Sequence, residues 1–451
     1  MMNTLPLLKG FGPTDIVAWQ DDQSVDCRHF VGDVVRLAER MPDRAHVFNL
    51  CENRYHFLVG FAAALVRGQT NLLPPSQAPQ LLKSIAQQYS DVYALVDKDN
   101  HPTDFDALRC PESSGPELTS LPIPCFPSTQ VAAITFTSGS TGEPKANLKT
   151  WASLVTGAGM ARARFLSTRP RPAVVVGTVP PQHMYGLEAT ILLSMQAGFA
   201  IHSGRPFYPE DIRIALEHVP PPRILITTPL HIRACVAEHT ALPRLEFIVS
   251  ATAPLSHSLA QQAENMFSTE VLEIYGCTEA GSIASRRTIE GEWWRAYDGM
   301  SLYHQNDHCF VQGPQLNEAV ELGDLIQLRN AYEFSLHGRT TDLINIAGKR
   351  ASLNDLNHKL NEIEGVQDGV FFMPDEAPGK ITRLMAFVIA PTLSVQEILG
   401  ELRQYIDAAF LPRPLYKVDS LPRTETGKLP KAHLRHLAAQ LEVSGDKAES
   451  A

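Results

Sequence analysis

Residues Thr135–Lys145, TFTSGSTGEPK, combine glycines and hydroxyl side chains with one lysine. Glycine N–H groups and hydroxyls can line a concavity for phosphate oxygens, and the lysine adds a positive charge. An apolar, β-branched segment precedes the loop, so we expect a strand before it and a helix after it. The spacing differs from GxxxxGK[ST], because Pro144 stands where that motif has its second glycine. The pattern favours a phosphate-binding loop of another kind over a flexible linker.

Other apolar segments also end in loops of small and hydroxyl residues. These segments are ILITTP, RLEFIVSATAPL and EVLEIYGCTEAG. Earlier in the chain, strand-like AHVFNL and DVYALVD alternate with helical patterns, which predicts an α/β fold with a large, doubly wound, mostly parallel sheet. Ligands of such sheets bind at the carboxyl ends of the strands. We therefore expect one site assembled from several loops.

The pattern changes after residue 338. Short strands and two amphipathic helices follow, ending in a polar tail, which predicts a small, mobile α+β domain over residues 339–451 beside a large domain over residues 1–338. A proline-rich stretch, His101–Gln130, reads as a surface connection.

Composition narrows the class of protein. The chain has 451 residues, 44% of them hydrophobic, and a formal net charge of -10, which argues against nucleic acid as a partner. One basic cluster, RARFLSTRPR, reads as a solvated helix end. Seven scattered cysteines without a CxxC pair suggest neither a disulfide framework nor a zinc site. Without a leader pattern or an apolar run of membrane length, we expect a cytoplasmic protein with no membrane span.

The phosphate-loop segment resembles the signature loop of the adenylate-forming superfamily, which includes acyl- and aryl-CoA synthetases, adenylation domains and luciferases. Further segments resemble the other motifs of that superfamily, in the expected order. They are SATAPL (Ser250–Leu255), YGCTEAG (Tyr275–Gly281), LGDL (Leu322–Leu325), HGRTTDLINIAGKR (His337–Arg350) and LPRTETGKLPK (Leu421–Lys431). The resemblance implies ATP, Mg²⁺ and a thiol, either CoA or the phosphopantetheine of a carrier protein.

The resemblance also implies roles for single residues. Lys428 would bridge the substrate carboxylate and the α-phosphate, with Glu279 as the Mg²⁺ carboxylate and Thr278 as a phosphate contact. The other nucleotide contacts would be Thr137, Ser138, Gly139, Ser140, Thr141, Gly142, Lys145, Ala251, Thr252, Tyr275, Gly276, Asp324, Arg339 and Arg350. Tyr275 would pack on adenine, and Asp324 would accept hydrogen bonds from the ribose.

Fewer residues in the sequence indicate where the carboxylic acid substrate would bind. The acyl pocket would be lined by His183, Met184, Tyr185, Gly186 and Cys277. His183 is either a rotating gate or a packed histidine. No aspartate is evident that would fix an α-ammonium group, which favours an aryl or medium-length acyl acid over an amino acid.

Two departures from the family pattern concern the small domain. Thr341 stands at the hinge position, where aspartate or lysine is usual, and Asp342 follows it. SLNDLNHKL replaces the usual start of the next helix.

Three functions stay open at this point. The first is an acid–thiol ligase, and the second is a stand-alone adenylation enzyme that loads a carrier protein. The third is a catalytically silent protein that binds an acyl adenylate or nucleotide. The N-terminal segment is also similar, more loosely, to compact bacterial ligases of aryl-polyene or xanthomonadin-type pathways.

Overall fold

The computed structural model of the chain describes residues 3–20, 22–89, 91–98, 105–110, 122–138, 144–166, 173–306, 308–339, 342–346, 349–374, 383–424 and 427–444. The strands up to residue 339 are β1 Thr4–Pro6, β2 Ile16–Gln20, β3 Gln23–Asp26, β4 His46–Asn49, β5 Thr70–Leu73, β6 Val92–Val96, β7 Ala107–Arg109, β8 Cys125–Pro127, β9 Val131–Ser138, β10 Pro144–Thr150, β11 Val174–Gly177, β12 Ala200–His202, β13 Arg223–Thr227, β14 Phe247–Ser250, β15 Glu270–Cys277, β16 Gly281–Arg287, β17 Trp294–Ala296, β18 Ser301–Gln305, β19 His308–Gln312, β20 Val320–Leu322, β21 Asp324–Leu328 and β22 Glu333–Arg339. The helices of this part are α1 Cys27–Arg40, α2 Arg54–Val66, α3 Pro79–Gln88, α4 Trp151–Leu166, α5 Met184–Gly186, α6 Leu193–Ala197, α7 Pro209–Glu217, α8 Pro229–Ala237 and α9 His257–Phe267.

Two large sheets dominate this part of the chain. One has eleven strands in the order β21-β22-β17-β16-β15-β14-β13-β11-β12-β2-β3, and the run from β15 to β2 is parallel. The other has six strands in the order β10-β9-β5-β4-β6-β7, and it is parallel from β9 to β7. The predicted α/β architecture with a large, mostly parallel sheet is confirmed.

Helix α2 shows how the two sheets are joined. Its sequence, RYHFLVGFAAALV, is apolar on nearly every side, and almost all of its residues are buried. A helix that is apolar all round must be covered all round. Helix α2 contacts β4 and β5 of one sheet and β12 of the other, so it forms part of the core between them.

The remaining elements form a smaller unit. They are β23 Leu343–Ile346, β24 Lys349–Ser352, α10 Leu353–Asn361, β25 Asp368–Phe372, β26 Met385–Ile389, α11 Val395–Tyr405, β27 Leu415–Lys417 and α12 Lys431–Ser444. Strands β25, β26 and β27 make one sheet, and α10 and α11 share a hydrophobic core with it. The smaller unit has a second hydrophobic cluster, to which α12 contributes Leu434 and Ala438.

Three local predictions were wrong. The residues after the phosphate loop were expected to be helical, but Pro144–Thr150 is strand β10, which pairs antiparallel with β9, and the helix begins at Trp151. Hydrogen bonding to a neighbouring strand, which a local pattern does not show, overrides the helical spacing. The expected polar tail contains β27 and α12, and the described part of His101–Gln130 contains β7 and β8.

Candidate active site

Two predicted nucleotide contacts, Asp324 and Arg339, are neighbours across a pair of strands. Asp324 begins β21 and stands opposite Arg339 of β22 in the antiparallel register. The Tyr275 hydroxyl at the end of β15 donates to Asp324 Oδ2 at 2.6 Å. Trp294 and Phe334 pack against the Tyr275 ring at centroid distances of 5.8 and 5.5 Å. Three sequence-predicted residues are thus brought together, and the carboxylate of Asp324 is oriented by the tyrosine.

The turn between β15 and β16 carries Thr278 and Glu279. Both side chains are half-buried. Gly276 lets the hairpin close, because a Cβ there would lie 2.3 Å from the carbonyl oxygen of Gly281. Beneath the turn, the buried Lys149 of β10 donates from Nζ to the Glu279 carbonyl at 2.7 Å. Burial lowers the pKa of Lys149 even though nearby carboxylates favour its charged form.

The predicted phosphate loop lies in sequence between β9 and β10, which pair antiparallel. Thr137 and Lys145 are directly opposite in the register, and the Lys145 side chain is exposed. Ser138 ends β9. The predicted contacts Gly139, Ser140, Thr141 and Gly142 lie outside the described residues.

The loop after β14 has a strained backbone. Thr252 adopts φ of 81°, in the left-handed region that residues with a side chain rarely occupy. Strain of this kind is concentrated at ligand sites. The preceding Ala251 is buried. Both predicted nucleotide contacts therefore lie at the carboxyl end of a central parallel strand.

Four of the five predicted acyl-pocket residues are consecutive: His183 caps the short helix α5, and Met184, Tyr185 and Gly186 form it. Gly186 is required there, since a Cβ would lie 2.0 Å from the Pro180 carbonyl oxygen. The buried Tyr185 donates from its hydroxyl to the carbonyls of Thr227 (3.1 Å) and Val249 (2.9 Å), which ties the turn to β13 and β14.

Three further predicted substrate contacts differ in exposure. Met184 is buried, and Cys277 is half-buried. Burial raises the pKa of the Cys277 thiol to about 12, so this cysteine is neutral. His183 Nδ1 is buried and has no hydrogen-bond partner within the described ranges.

Lys428 reaches this turn from the other end of the chain. Burial, and then the charge of Lys428, lower the pKa of His183 to about 4. Gly427 has φ of 79°, and its Cβ position lies 3.5 Å from the Leu230 side chain and 3.8 Å from Thr228 Oγ1. The lysine loop is therefore docked on the turn between β13 and α8, within electrostatic range of a neutral His183.

A partly buried ion-pair network anchors that loop. Arg423 binds Asp368 of β25 through two bonds of 2.7 Å and also donates to the Gly427 carbonyl at 2.7 Å. Arg233 of α8 contacts the same carboxylate at 2.9 Å. Burial alone would raise the pKa of Asp368, but the two arginines lower it. An unbroken chain of polar contacts thus runs from α8 to the lysine loop.

Among the residues that position the site, the sequence analysis did not single out Lys149, Arg233, Asp368 or Glu188, whose Oε2 accepts from the Ser282 N–H and hydroxyl. A lone charge inside an apolar run, as in YGLEATILL, was a usable signal for Glu188. Of the hinge residues, Asp342 is half-buried, and Thr341 lies outside the described residues. Arg350 lies in β24, opposite Asn345.

Neither a metal cluster nor a membrane helix is present in the described part of the chain. No group of three or more His, Cys, Asp or Glu residues there could hold a metal ion. No helix among the same residues is both long and apolar enough to cross a bilayer.

Comparisons with known proteins place the chain among ligases. Residues 40–302 match the family model described as AMP-binding enzyme. The long-chain-fatty-acid–CoA ligase of Bacillus subtilis is 23% identical over 393 residues, covering 76% of this chain and 69% of that protein. The 4-coumarate–CoA ligase of Halorhodospira halophila is 28% identical over 315 residues, covering 67% and 76%.

Solved structures give the same fold. The o-succinylbenzoate-CoA synthetase of Bacillus subtilis, solved with ATP and magnesium, superposes with a TM-score of 0.80 at 16% identity, covering 96% of this chain and 100% of that one. MatB from Rhodopseudomonas palustris, solved with ATP, superposes with a TM-score of 0.78 at 18% identity, covering 95% of this chain and 97% of that one. Because the family model spans more than half of the chain, the protein belongs to the AMP-binding enzymes, the adenylate-forming superfamily of acyl- and aryl-CoA ligases.

Proposed function

We propose that the protein is an ATP-dependent, AMP-forming ligase that joins an aryl or medium-length acyl carboxylate to the thiol of CoA. The observation that carries the proposal is the docking of the Lys428 loop on the turn between β13 and α8, where the Cβ position of the adjacent Gly427 lies 3.5 Å from the Leu230 side chain and 3.8 Å from Thr228 Oγ1. Thr278 and Glu279 lie on the turn after β15, and the exposed Lys145 lies on β10, the strand whose Lys149 donates to the Glu279 carbonyl.

The side chains suit a nucleotide. Asp324 keeps a carboxylate oriented by Tyr275, which is the acceptor that ribose hydroxyls require. Glu279 stands at a hairpin turn, and Mg²⁺ in nucleotide sites commonly takes one or two carboxylates plus phosphate oxygens. Glu279 would hold the ion, which offsets the charge of the triphosphate.

The chemistry then follows in two steps. The substrate carboxylate attacks the α-phosphorus of ATP, forming an acyl adenylate and releasing pyrophosphate. The thiol next attacks the acyl carbon, forming the thioester and releasing AMP and the thiol proton. Lys428 would stabilise the negative charge on the carboxylate and α-phosphate in the first step. Because His183 is neutral, it does not offset this negative charge, and Lys428 supplies the positive charge.

CoA is the proposed thiol because the curated relatives named above are CoA ligases. A carrier-protein phosphopantetheine carries the same reactive thiol. Once the acid substrate is known, thioester formation can be measured with CoA and with a carrier protein. Transfer only to the carrier protein would contradict the proposal of CoA as the acceptor.

Exchange of labelled pyrophosphate into ATP tests the first step directly. We would measure it with Mg²⁺ across benzoates, cinnamates, fatty acids and amino acids. In Lys428→Ala, exchange should fall by about 100-fold or more, because a group that stabilises transition-state charge is lost. The side chain is exposed, so the fold should persist. Lys431→Ala is the matched control, and wild-type exchange in Lys428→Ala would contradict the assigned role.

A further inference from the structure

The hairpin turn that carries Glu279 is held by side chains from distant parts of the chain. Thr278, Glu279 and Ala280 lie between the paired residues Cys277 and Gly281. Gly281 has φ of 76° and closes the turn in the left-handed conformation, which glycine adopts without strain. The carbonyls of Glu279 and Ala280 accept hydrogen bonds from side chains of other elements.

Two buried side chains donate those hydrogen bonds. Lys149 of β10 donates from Nζ to the Glu279 carbonyl at 2.7 Å, and Gln315 donates from Nε2 to the Ala280 carbonyl at 3.4 Å. The Lys149 contact is the shorter one, and its donor is an ammonium, which makes a stronger hydrogen bond than a neutral amide does. Both contacts are made to the backbone, so the Glu279 carboxylate takes no part in either of them.

Glu188 holds the strand that follows the turn. It lies on the π-helical turn Leu187–Leu192 after α5, and its Oε2 accepts from the Ser282 N–H at 2.9 Å and from the Ser282 hydroxyl at 2.7 Å. Burial lowers the pKa of Lys149 and raises that of Glu188, and the charge of each residue opposes the effect on the other. Because a buried ammonium is costly without an opposite charge nearby, Glu188 is the partner that allows a lysine at this position.

Lys149 also connects the turn to the strand of Lys145. Both lysines lie on β10 and pair with β9 without a register break between them. Residues four positions apart on a strand share a face and lie about 13 Å apart. Strand β10 belongs to the six-stranded sheet, whereas the turn belongs to the eleven-stranded sheet. The Lys149 contact therefore fixes the turn of one sheet to a strand of the other, at a set distance from Lys145.

We infer that Lys149 is a positioning residue for the Mg²⁺–triphosphate site, which holds the Glu279 turn in place relative to the strand of Lys145. The inference rests on the proposed function for the role of Glu279 as the Mg²⁺ carboxylate. Mg²⁺ takes oxygen ligands only at about 2.0–2.1 Å, so a carboxylate and phosphate oxygens that share the ion must be held at a set separation. Lys149 contributes to this separation through the Glu279 backbone.

A purely structural role for Lys149 makes a different prediction. If the lysine only joined the two sheets, its loss would lower stability, and nucleotide affinity would fall by the same factor with and without Mg²⁺. A positioning role predicts a loss of the contribution that Mg²⁺ makes to nucleotide binding. Replacing a group that orients a metal ligand typically changes metal affinity or activity by about 10- to 100-fold.

The experiment measures the affinity for α,β-methylene-ATP, which cannot release pyrophosphate, by calorimetric titration with Mg²⁺ and again with the chelator EDTA. The ratio of the two dissociation constants gives the contribution of Mg²⁺ without any reaction. We expect Lys149→Met to lower this ratio by about 10-fold or more, while the affinity in EDTA stays near the wild-type value. Lys149→Arg keeps a cationic donor and should retain much of the ratio.

Two further variants complete the experiment. Lys417→Met is the matched control, because Lys417 also donates to a backbone carbonyl, that of Leu393, but lies on β27 of the smaller unit. Its affinity ratio should equal that of wild type. The double variant Lys149→Met with Glu188→Gln leaves neither charge buried alone and still lacks the contact to Glu279. It should lose the Mg²⁺ contribution as Lys149→Met does, and it carries the test if thermal unfolding shows that Lys149→Met does not fold.

Pyrophosphate exchange gives a second measurement. In Lys149→Met, the Mg²⁺ concentration for half-maximal exchange should rise by about the factor found in calorimetry. The KM for the acid should stay near the wild-type value, because Lys149 contacts the turn of Glu279 and none of the predicted acyl-pocket side chains through a hydrogen bond described here.

The outcomes separate this inference from the proposed function. An unchanged affinity ratio in a folded variant that lacks Lys149, or an equal loss with and without Mg²⁺, would overturn the positioning role and leave the ligase proposal standing. Exchange absent from wild type with every acid would contradict the ligase proposal, and the calorimetric ratio would still decide the role of Lys149. A wild-type ratio of one would also overturn the inference, because Mg²⁺ would then contribute nothing to nucleotide binding.

Discussion

Replacing Arg233 with methionine tests whether one interdomain ion pair holds the lysine loop in place. Arg233 lies on α8, and its Nη1 atom is 2.9 Å from Oδ1 of Asp368 on β25. The same carboxylate binds Arg423, which also holds the Gly427 carbonyl beside Lys428. The substitution removes the link to α8 and leaves the pair between Asp368 and Arg423 intact.

The size of the effect follows from burial. The Arg233 side chain is 27% exposed and that of Asp368 is 6% exposed, so the pair lies between the surface and buried limits. Exposed pairs contribute up to about 1 kcal/mol, and removing one partner of a buried pair costs about 3–5 kcal/mol. Because Asp368 remains paired with Arg423, we expect Arg233→Met to weaken docking of the lysine loop by about 1–2 kcal/mol. This lowers the equilibrium constant for docking of the lysine loop about 5- to 30-fold.

Two half-reactions, measured separately, provide the assay. Under the proposed function, Lys428 acts in adenylation, so pyrophosphate exchange should fall by up to the same 5- to 30-fold in Arg233→Met. Thioester formation from a supplied acyl adenylate should not slow. Arg233→Lys should recover much of the exchange, since an ammonium keeps the positive charge that pairs with the Asp368 carboxylate.

The control is Arg213→Met. Arg213 belongs to the neighbouring helix α7 and pairs only with glutamates of its own helix among the described residues. Both variants should unfold at the wild-type temperature within a few degrees. Wild-type exchange in Arg233→Met, or an equal loss in both half-reactions, would refute the docking role.

Two further predictions concern stability. Arg54 is fully buried and donates to three backbone carbonyls and the Thr190 hydroxyl, so Arg54→Leu should lower the free energy of unfolding in urea by about 3 kcal/mol or more. Arg213 is half-buried and pairs with two exposed glutamates of its own helix, so Arg213→Leu should lower it by no more than about 1 kcal/mol. Similar values for the two variants would contradict this accounting. Burial, and then the charge of Arg205, lower the pKa of His231 to about 4 from the usual 6.5, so the unfolded chain binds its proton first and stability falls as pH falls from about 6.5 toward 4. Between pH 8 and pH 5 this histidine should account for a loss of about 2 kcal/mol in urea unfolding, and His231→Asn should show a pH dependence smaller by that amount. An unchanged pH dependence would show that His231 does not titrate as described.

Contiguous stretches of sequence determined the family and most of the elements. TFTSGSTGEPK, YGCTEAG and LPRTETGKLPK each keep their chemistry within about a dozen residues, so their resemblance can be recognised without a fold. The strand and helix patterns in the parallel part of the sheet were also legible, because buried strands and amphipathic helices have different hydrophobic periods. Strand β10 could not be predicted from its own residues, because the hydrogen bonds that form it are made with β9.

Only the tertiary structure decided which distant charges meet. Lys428 and His183 are more than two hundred positions apart, and nothing in either local segment indicates that one lowers the pKa of the other. The same holds for Arg233 with Asp368 and for Lys149 beneath the turn of Glu279. A charged side chain looks alike in sequence whether it is solvated or buried. Its role depends on the dielectric surroundings and partners that the fold provides, and these are set by packing between elements far apart in the chain.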